Sequence, residues 1–178
     1  MRNIRSTMEN YIQDAEGTTA IELAFVAAPL VYFLLGIIEV ALMFTTSIVL
    51  EGATSDASRL IRTGQAQQSG NAQAMFEDAL CDAVSVLANC NDIEYEVITI
   101  DGGFGGAGAN NAQFNPDGSF DSQGFDAGGV SDVVLIRAVY QYALKTPIMS
   151  EFFSDPGSDT RLMMSTIVLQ TEPYDFDD

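Results

Sequence analysis

The sequence predicts an α+β protein: a long N-terminal membrane-spanning, pilin-like helix, then a second helix and a small antiparallel sheet. Three observations carry this. Residues 23–50 hold 28 positions with a single charge, Glu39. Further on, Met75, Phe76, Ala79, Leu80, Ala83, Val84 and Leu87 recur at helical spacing. Then three segments, 93–100, 133–144 and 162–171, carry the alternation or the continuous apolar run of strands.

As a helix, the 28 residues would reach about 42 Å, more than the roughly 30 Å of a bilayer's hydrocarbon core. A secretory signal has a shorter apolar stretch directly behind a basic region, so residues 23–50 read as a retained single span. The helix should begin near Thr18 and end before Gly64, which suits the left-handed position after a helix. Pro29 falls inside it, and a membrane helix tolerates that better than a soluble one.

The charge balance excludes several functions. Seven Lys and Arg stand against 25 Asp and Glu, a net charge of −18, so the surface repels phosphate and a nucleic-acid partner is ruled out. There is no His, which removes His-based triads and the common zinc sites. Lys145 is the single lysine, and nothing positions it beside a nucleophile. No catalytic residue, no metal site and no cofactor is therefore expected. Asn115, Asp117, Ser119, Asp121 and Gln123 alternate oxygen ligands as a calcium loop might, but the EF-hand glycine and closing Glu are missing. The 102–108 run, GGFGGAG, lacks the Lys and Ser/Thr of a phosphate loop.

Beyond the span, residues 51–178 carry 20 acidic and 5 basic side chains and both cysteines. With an anchor ahead of them, an oxidising compartment and a Cys81–Cys90 disulfide fit; two buried thiols in a reducing compartment are the competing reading. On a straight helix the two residues would lie about 13 Å apart, too far to bridge. The disulfide therefore requires the helix that starts at Asn71, a good N-cap, to end and the chain to turn back near Ala88 or Asn89. The strand at 93–100 sets Ile93, Tyr95 and Val97 against Glu94 and Glu96, a half-solvated pattern. The one at 133–144 sets Val134, Ile136, Ala138, Tyr140, Tyr142 and Leu144 against Arg137 and Gln141. The more uniformly apolar 162–171 reads as a central strand. Residues 102–129, rich in Gly, Asn, Asp and Phe, read as a loop.

Two features of the span bear on function. Glu22 stands one turn inside the helix against apolar sequence, where a carboxylate needs a partner, and no Lys or Arg of the same helix is within reach. Were the chain cut after Gly17, the new amine at Thr18 would lie four residues upstream, on the same or a neighbouring subunit; alternatively Glu22 sits hydrated among headgroups. Ala20, Ala24 and Ala28 form a small-residue ladder that lets another helix approach. Glu39, about 25 Å along the axis from Glu22, approaches the other interface and has no need to be buried or functional.

The stretch GTTAIELAFVAAPL, with Glu22 five positions after Gly17, resembles the processing site of prepilins. Together with 36–39, GIIE, the run ASRLIRTGQ, the C-terminal VVLIRAVYQYALKTPIM and STIVLQTEPY, it resembles the TadE/TadF minor pseudopilins of tight-adherence pili. The resemblance implies cleavage by a prepilin peptidase between Gly17 and Thr18, with Glu22 required for processing or subunit docking. The major pilins of that system usually have Tyr after this glutamate. Leu23 and the large C-terminal domain point instead to a minor component.

The expected organisation is a cytoplasmic leader over 1–17, a transmembrane, pilin-like helix over 18–64, and an extracytoplasmic α+β domain over 65–178. Arg2 and Arg5 before the span are matched by Arg59 and Arg62 after it. Orientation therefore rests on the cysteines and the resemblance, which place the domain in the periplasm and the span in the bacterial inner membrane. The expected function is assembly of a tight-adherence pilus, into which the subunit itself can be incorporated. Its partners would be a prepilin peptidase, other pilin and pseudopilin subunits, the inner-membrane assembly platform and membrane lipid. The competing reading is a single-pass envelope protein whose periplasmic domain binds a partner without entering a filament.

Overall fold

The computed structural model describes residues 16–174. Its first element, α1, is a 47-residue helix, Glu16–Arg62, that passes through Pro29 without a break. The leader expected over 1–17 lies outside the described residues except for Glu16 and Gly17, which belong to the helix. The helix ends where Gly64 takes φ 75° and donates its N–H to the Ile61 carbonyl at 3.1 Å. A side chain there is excluded twice, by the positive φ and by the Tyr174 ring, 2.7 Å from where a Cβ would stand.

One turn, α2 (Gln65–Gln68), leads to α3 (Ala72–Val84). The Asn71 side chain caps α3 by accepting the Ala74 N–H at 3.2 Å. Phe76, Leu80 and Val84 are its buried face. After Val84 the chain turns, and Cys81 is joined to Cys90 with their Cα atoms 5.2 Å apart. The bridge staples the end of α3 to the start of the first strand. Because it closes a short loop, replacing both cysteines by serine should lower unfolding stability by about 2–3 kcal/mol, read as a drop in the urea midpoint of the detergent-solubilised chain.

The sheet is antiparallel, with β1 (Ile93–Thr99), β2 (Val133–Ala143) and β3 (Thr160–Gln170) in the order β1-β2-β3. The 162–171 segment is thus an edge strand, and β2 is the central one. The physical reason lies in burial: seven consecutive residues of β2, Val133 to Val139, are buried, whereas Met164 and Thr166 of β3 face solvent. β1 is shielded on its outer side, where Val97 exchanges backbone hydrogen bonds with Gly124 and Asp126. A short helix missed in the sequence, α4 (Pro147–Phe153), interrupts the β2–β3 connection.

One sheet face, with Val97, Val134, Ile136, Ala138 and Leu169, packs on Leu50, Ala53, Ala57 and Ile61 of α1 and on the buried face of α3. The aromatic rings of Phe76, Tyr95 and Phe125 meet within this core, Phe76 lying 5.3 Å from Tyr95 and 5.8 Å from Phe125. The other face is solvated only in part: Glu94, Met164 and Thr166 are exposed there, as alternation suggests, but Glu96 and Arg137 are buried. The 102–129 segment covers the buried part as a third layer. Within that layer, Gly103–Ala109 forms a 3-10 helix. Phe114 and Phe120 are bridged across a tight turn, and Ala107 packs over Ile98, Ile100, Val133 and Leu135.

Beneath this layer Glu96 and Arg137, cross-strand partners in the β1–β2 register, form a buried ion pair. The second Glu96 oxygen accepts the Gln123 N–H at 3.0 Å, and Arg137 also donates to the Asn110 carbonyl. The oxygen-rich alternation from Asn115 to Gln123 is used inside the fold. Asp117 accepts the Ser119 N–H at 3.0 Å and its hydroxyl at 2.7 Å, and Asn115 donates to Ser119 at 2.9 Å.

Candidate assembly surface

The sequence of α1 divides it into two functional halves. Gly36, Glu39, Met43, Thr46, Leu50, Ala53, Ala57 and Ile61 are buried at intervals of three or four residues, the stripe of a helix packed on one side. The hydroxyls along it are satisfied within the helix, Thr46 donating to the Leu42 carbonyl at 2.9 Å and Thr54 to Leu50 at 2.6 Å. N-terminal to Gly36 the stripe vanishes. From Thr18 to Leu35 every residue is exposed except half-buried Ala27, and the exposed side chains include Leu23, Phe25, Val26, Leu30 and Phe33.

This division separates a bare rod from the part of the apolar run that packs on the head. The apolar run to Leu50 exceeds a bilayer because its last turns belong to the head: Met43 and Leu50 are part of the main core, and Thr46 between them is buried. About twenty residues suffice to cross the hydrocarbon, and the bare half, Thr18 to Leu35, is close to that length. The described chain holds one helix long and apolar enough to cross a membrane, which fits a single-pass membrane protein.

Where the halves meet, a clip holds the head to the rod. Glu39 is only 6% exposed, and its carboxylate accepts the backbone N–H of Lys145 and, at 2.8 Å, that of Thr146. These two residues end the β2 excursion and begin α4, whose first position is Pro147, a residue with no N–H to satisfy. One turn below Glu39, Gly36 receives Met149 of α4: a Cβ at Gly36 would stand 3.1 Å from Met149 Cε. The 36–39 segment, GIIE, is thus a docking notch, with glycine as the floor and glutamate as the latch. Burial raises the Tyr142 phenol above the usual tyrosine range, and the Glu39 charge adds to it. The sequence reading left Glu39 without a role. The signal was available, since a lone carboxylate in an apolar run normally has a partner.

The other anticipated residues are placed but not brought together. Gly17 and Thr18 lie on continuous helix, Glu22 is exposed with no hydrogen bond or ion pair among the described residues, and Ala20, Ala24 and Ala28 line an open face. Among the described residues there is no group of three or more His, Cys, Asp or Glu able to hold a metal ion.

Among the described residues, then, one bare apolar helix carries a small disulfide-stapled α+β head. The family model of TadE-like protein matches residues 17–59, a segment that runs from Gly17 through the bare half of α1 and nearly to the end of its docked half. The match supports a minor pilin-like protein associated with Tad pili, a structural pilus component in association with other pilus subunits. No curated protein and no solved structure matches the chain.

Proposed function

We propose that this chain is a minor pilin-like subunit required for assembly of a tight-adherence pilus, processed by a prepilin peptidase between Gly17 and Thr18. The observation that carries the proposal is the bare half of α1, an exposed apolar rod of pilin type lying inside the TadE-like match. Such a surface is compatible with two environments only, lipid and other apolar helices. The subunit is held in the inner membrane by this half with the head in the periplasm. After cleavage it moves from the bilayer into contact with pilin and pseudopilin helices on the assembly platform. Glu22, freed of the leader, neutralises the new amine of Thr18 on its own or a neighbouring rod, and the alanine ladder allows that neighbour to approach.

Glu22→Ala is expected to leave the head folded and to abolish maturation or incorporation, read by N-terminal sequencing of the native protein and by its presence in sheared filaments. Normal piliation by the variant, or a native protein that still begins at Met1 while fibres form, rejects the proposal. A second reading is favoured by one observation. A cavity of ≈ 710 Å³, lined in part by Asp92, Glu94, Tyr140, Tyr142 and Lys145, opens on the head, as a partner-binding envelope protein would have. Under that reading the full-length chain stays in the detergent-extracted membrane and never copurifies with filaments.

A further inference from the structure

We infer that α4 is a second, interfacial membrane anchor, a short helix that lays Phe152 and Phe153 into the headgroup–acyl boundary beside the span. The inference rests on the reading of the bare half of α1 as membrane-inserted. Its geometry comes from the notch. The Lys145 and Thr146 amides bind Glu39, and Met149, one turn further along α4, meets Gly36, one turn further back along α1. α4 therefore runs from the head back toward the inserted half. Its contact at Gly36 falls at the head-side end of the bare half, directly after Leu35.

Phe152, 76% exposed, and Phe153, 37% exposed, sit past that contact. What sets Phe152 apart from other exposed apolar side chains of the head, such as Val86 and Phe104, is its place beside the bare half of α1. At the edge of a bilayer Phe152 and Phe153 are in the zone where aromatic side chains collect. Leu42 and Phe44 of α1 are exposed as well. The charges around α4 are Lys145 at its start, exposed Glu151, and Asp155 and Asp159 beyond its end, with Asp155 paired to Arg161. There is no basic face, so adhesion is apolar and independent of anionic lipid. With the span at one point and α4 at another, the head is held at a fixed tilt and rotation on the membrane.

The test uses the full chain in phosphatidylcholine vesicles, with a nitrobenzoxadiazole label at one introduced cysteine and the native pair kept oxidised. Labels at Phe152→Cys, Val31→Cys in the span and Ser55→Cys on the exposed side of α1 are compared. Lipids brominated on the acyl chains should quench Val31→Cys and Phe152→Cys and shift the emission of both to the blue. Ser55→Cys should be quenched by aqueous iodide alone, and adding phosphatidylglycerol should change none of these. If iodide but not brominated lipid quenches Phe152→Cys while Val31→Cys responds to lipid, the second anchor is refuted and the span stands. A blue-shifted Phe152→Cys shielded from both quenchers assigns the helix to a protein neighbour and refutes the lipid contact. If Val31→Cys also escapes the brominated lipid, the membrane reading itself fails.

Discussion

Arg137→Ala is expected to destabilise the head by about 3–5 kcal/mol, the cost of leaving a buried charge without its partner. Glu96 is 0% exposed and Arg137 5% exposed. The alanine variant would leave the carboxylate with the Gln123 N–H alone and strip the Asn110 carbonyl of its donor. Both of those groups belong to the glycine-rich layer, so the loss should show first there, as faster amide exchange across 110–125 and then as a lower urea midpoint. Glu96→Leu/Arg137→Met removes both charges and should cost less than Arg137→Ala alone, because no ion is left buried. An unchanged midpoint in Arg137→Ala, or a double variant weaker than the single, would show that the pair does not hold this layer in place.

The elements of the head were legible because each obeyed a local rule. Asn71 capped its helix, Gly64 stopped the rod, and the strand periods selected the correct core-facing residues: Val97, Val134, Ile136 and Ala138. What could not be read was which surfaces meet over long sequence distances. Alternation in IEYEVITI places Glu96 opposite Val97 but cannot say whether water or protein lies beyond it. The covering layer is 102–129, a segment without period. Its one hint was four phenylalanines, more than a solvated loop has reason to carry, of which Phe120 is buried and Phe125 reaches the aromatic cluster. The edge position of β3 was hidden for a similar reason. Its apolar residues divide between the main core, through Met163 and Leu169, and the smaller one, through Val168, so the run looked continuous without being buried on both sides. α4 was signalled by Pro147 at a helix start, yet seven residues are too few for periodicity to register. Of the assembly surface, the rod was plain from composition. The notch was not, because its two sides are separated by 106 residues.

Glu39→Ala is expected to loosen α4 from the rod at a cost of about 3 kcal/mol, since hydrogen bonds to a charged group are the strong ones and two part-buried amides lose their acceptor. The effect should be local. Amide exchange at Lys145 and Thr146 should accelerate and α4 should leave Gly36, while the β1–β2 ladder and the Cys81–Cys90 staple stay intact. Glu39→Gln keeps one acceptor oxygen but turns an NH2 toward a backbone N–H, so it should fall between alanine and the native chain. Gly36→Ala should be mild, because the atom its Cβ meets is the end of a flexible Met149 that can move a few tenths of an ångström. Gly36→Leu should displace α4 outright. If Glu39→Ala leaves the Lys145 and Thr146 amides as protected as before, the carboxylate is not the latch. Should it release them, the same variant separates two requirements for assembly: a rod that can pack, which Glu39→Ala preserves, and an α4 held against that rod, which it loses. Subunits that mature normally yet fail to enter filaments would assign the second requirement to the 36–39 notch.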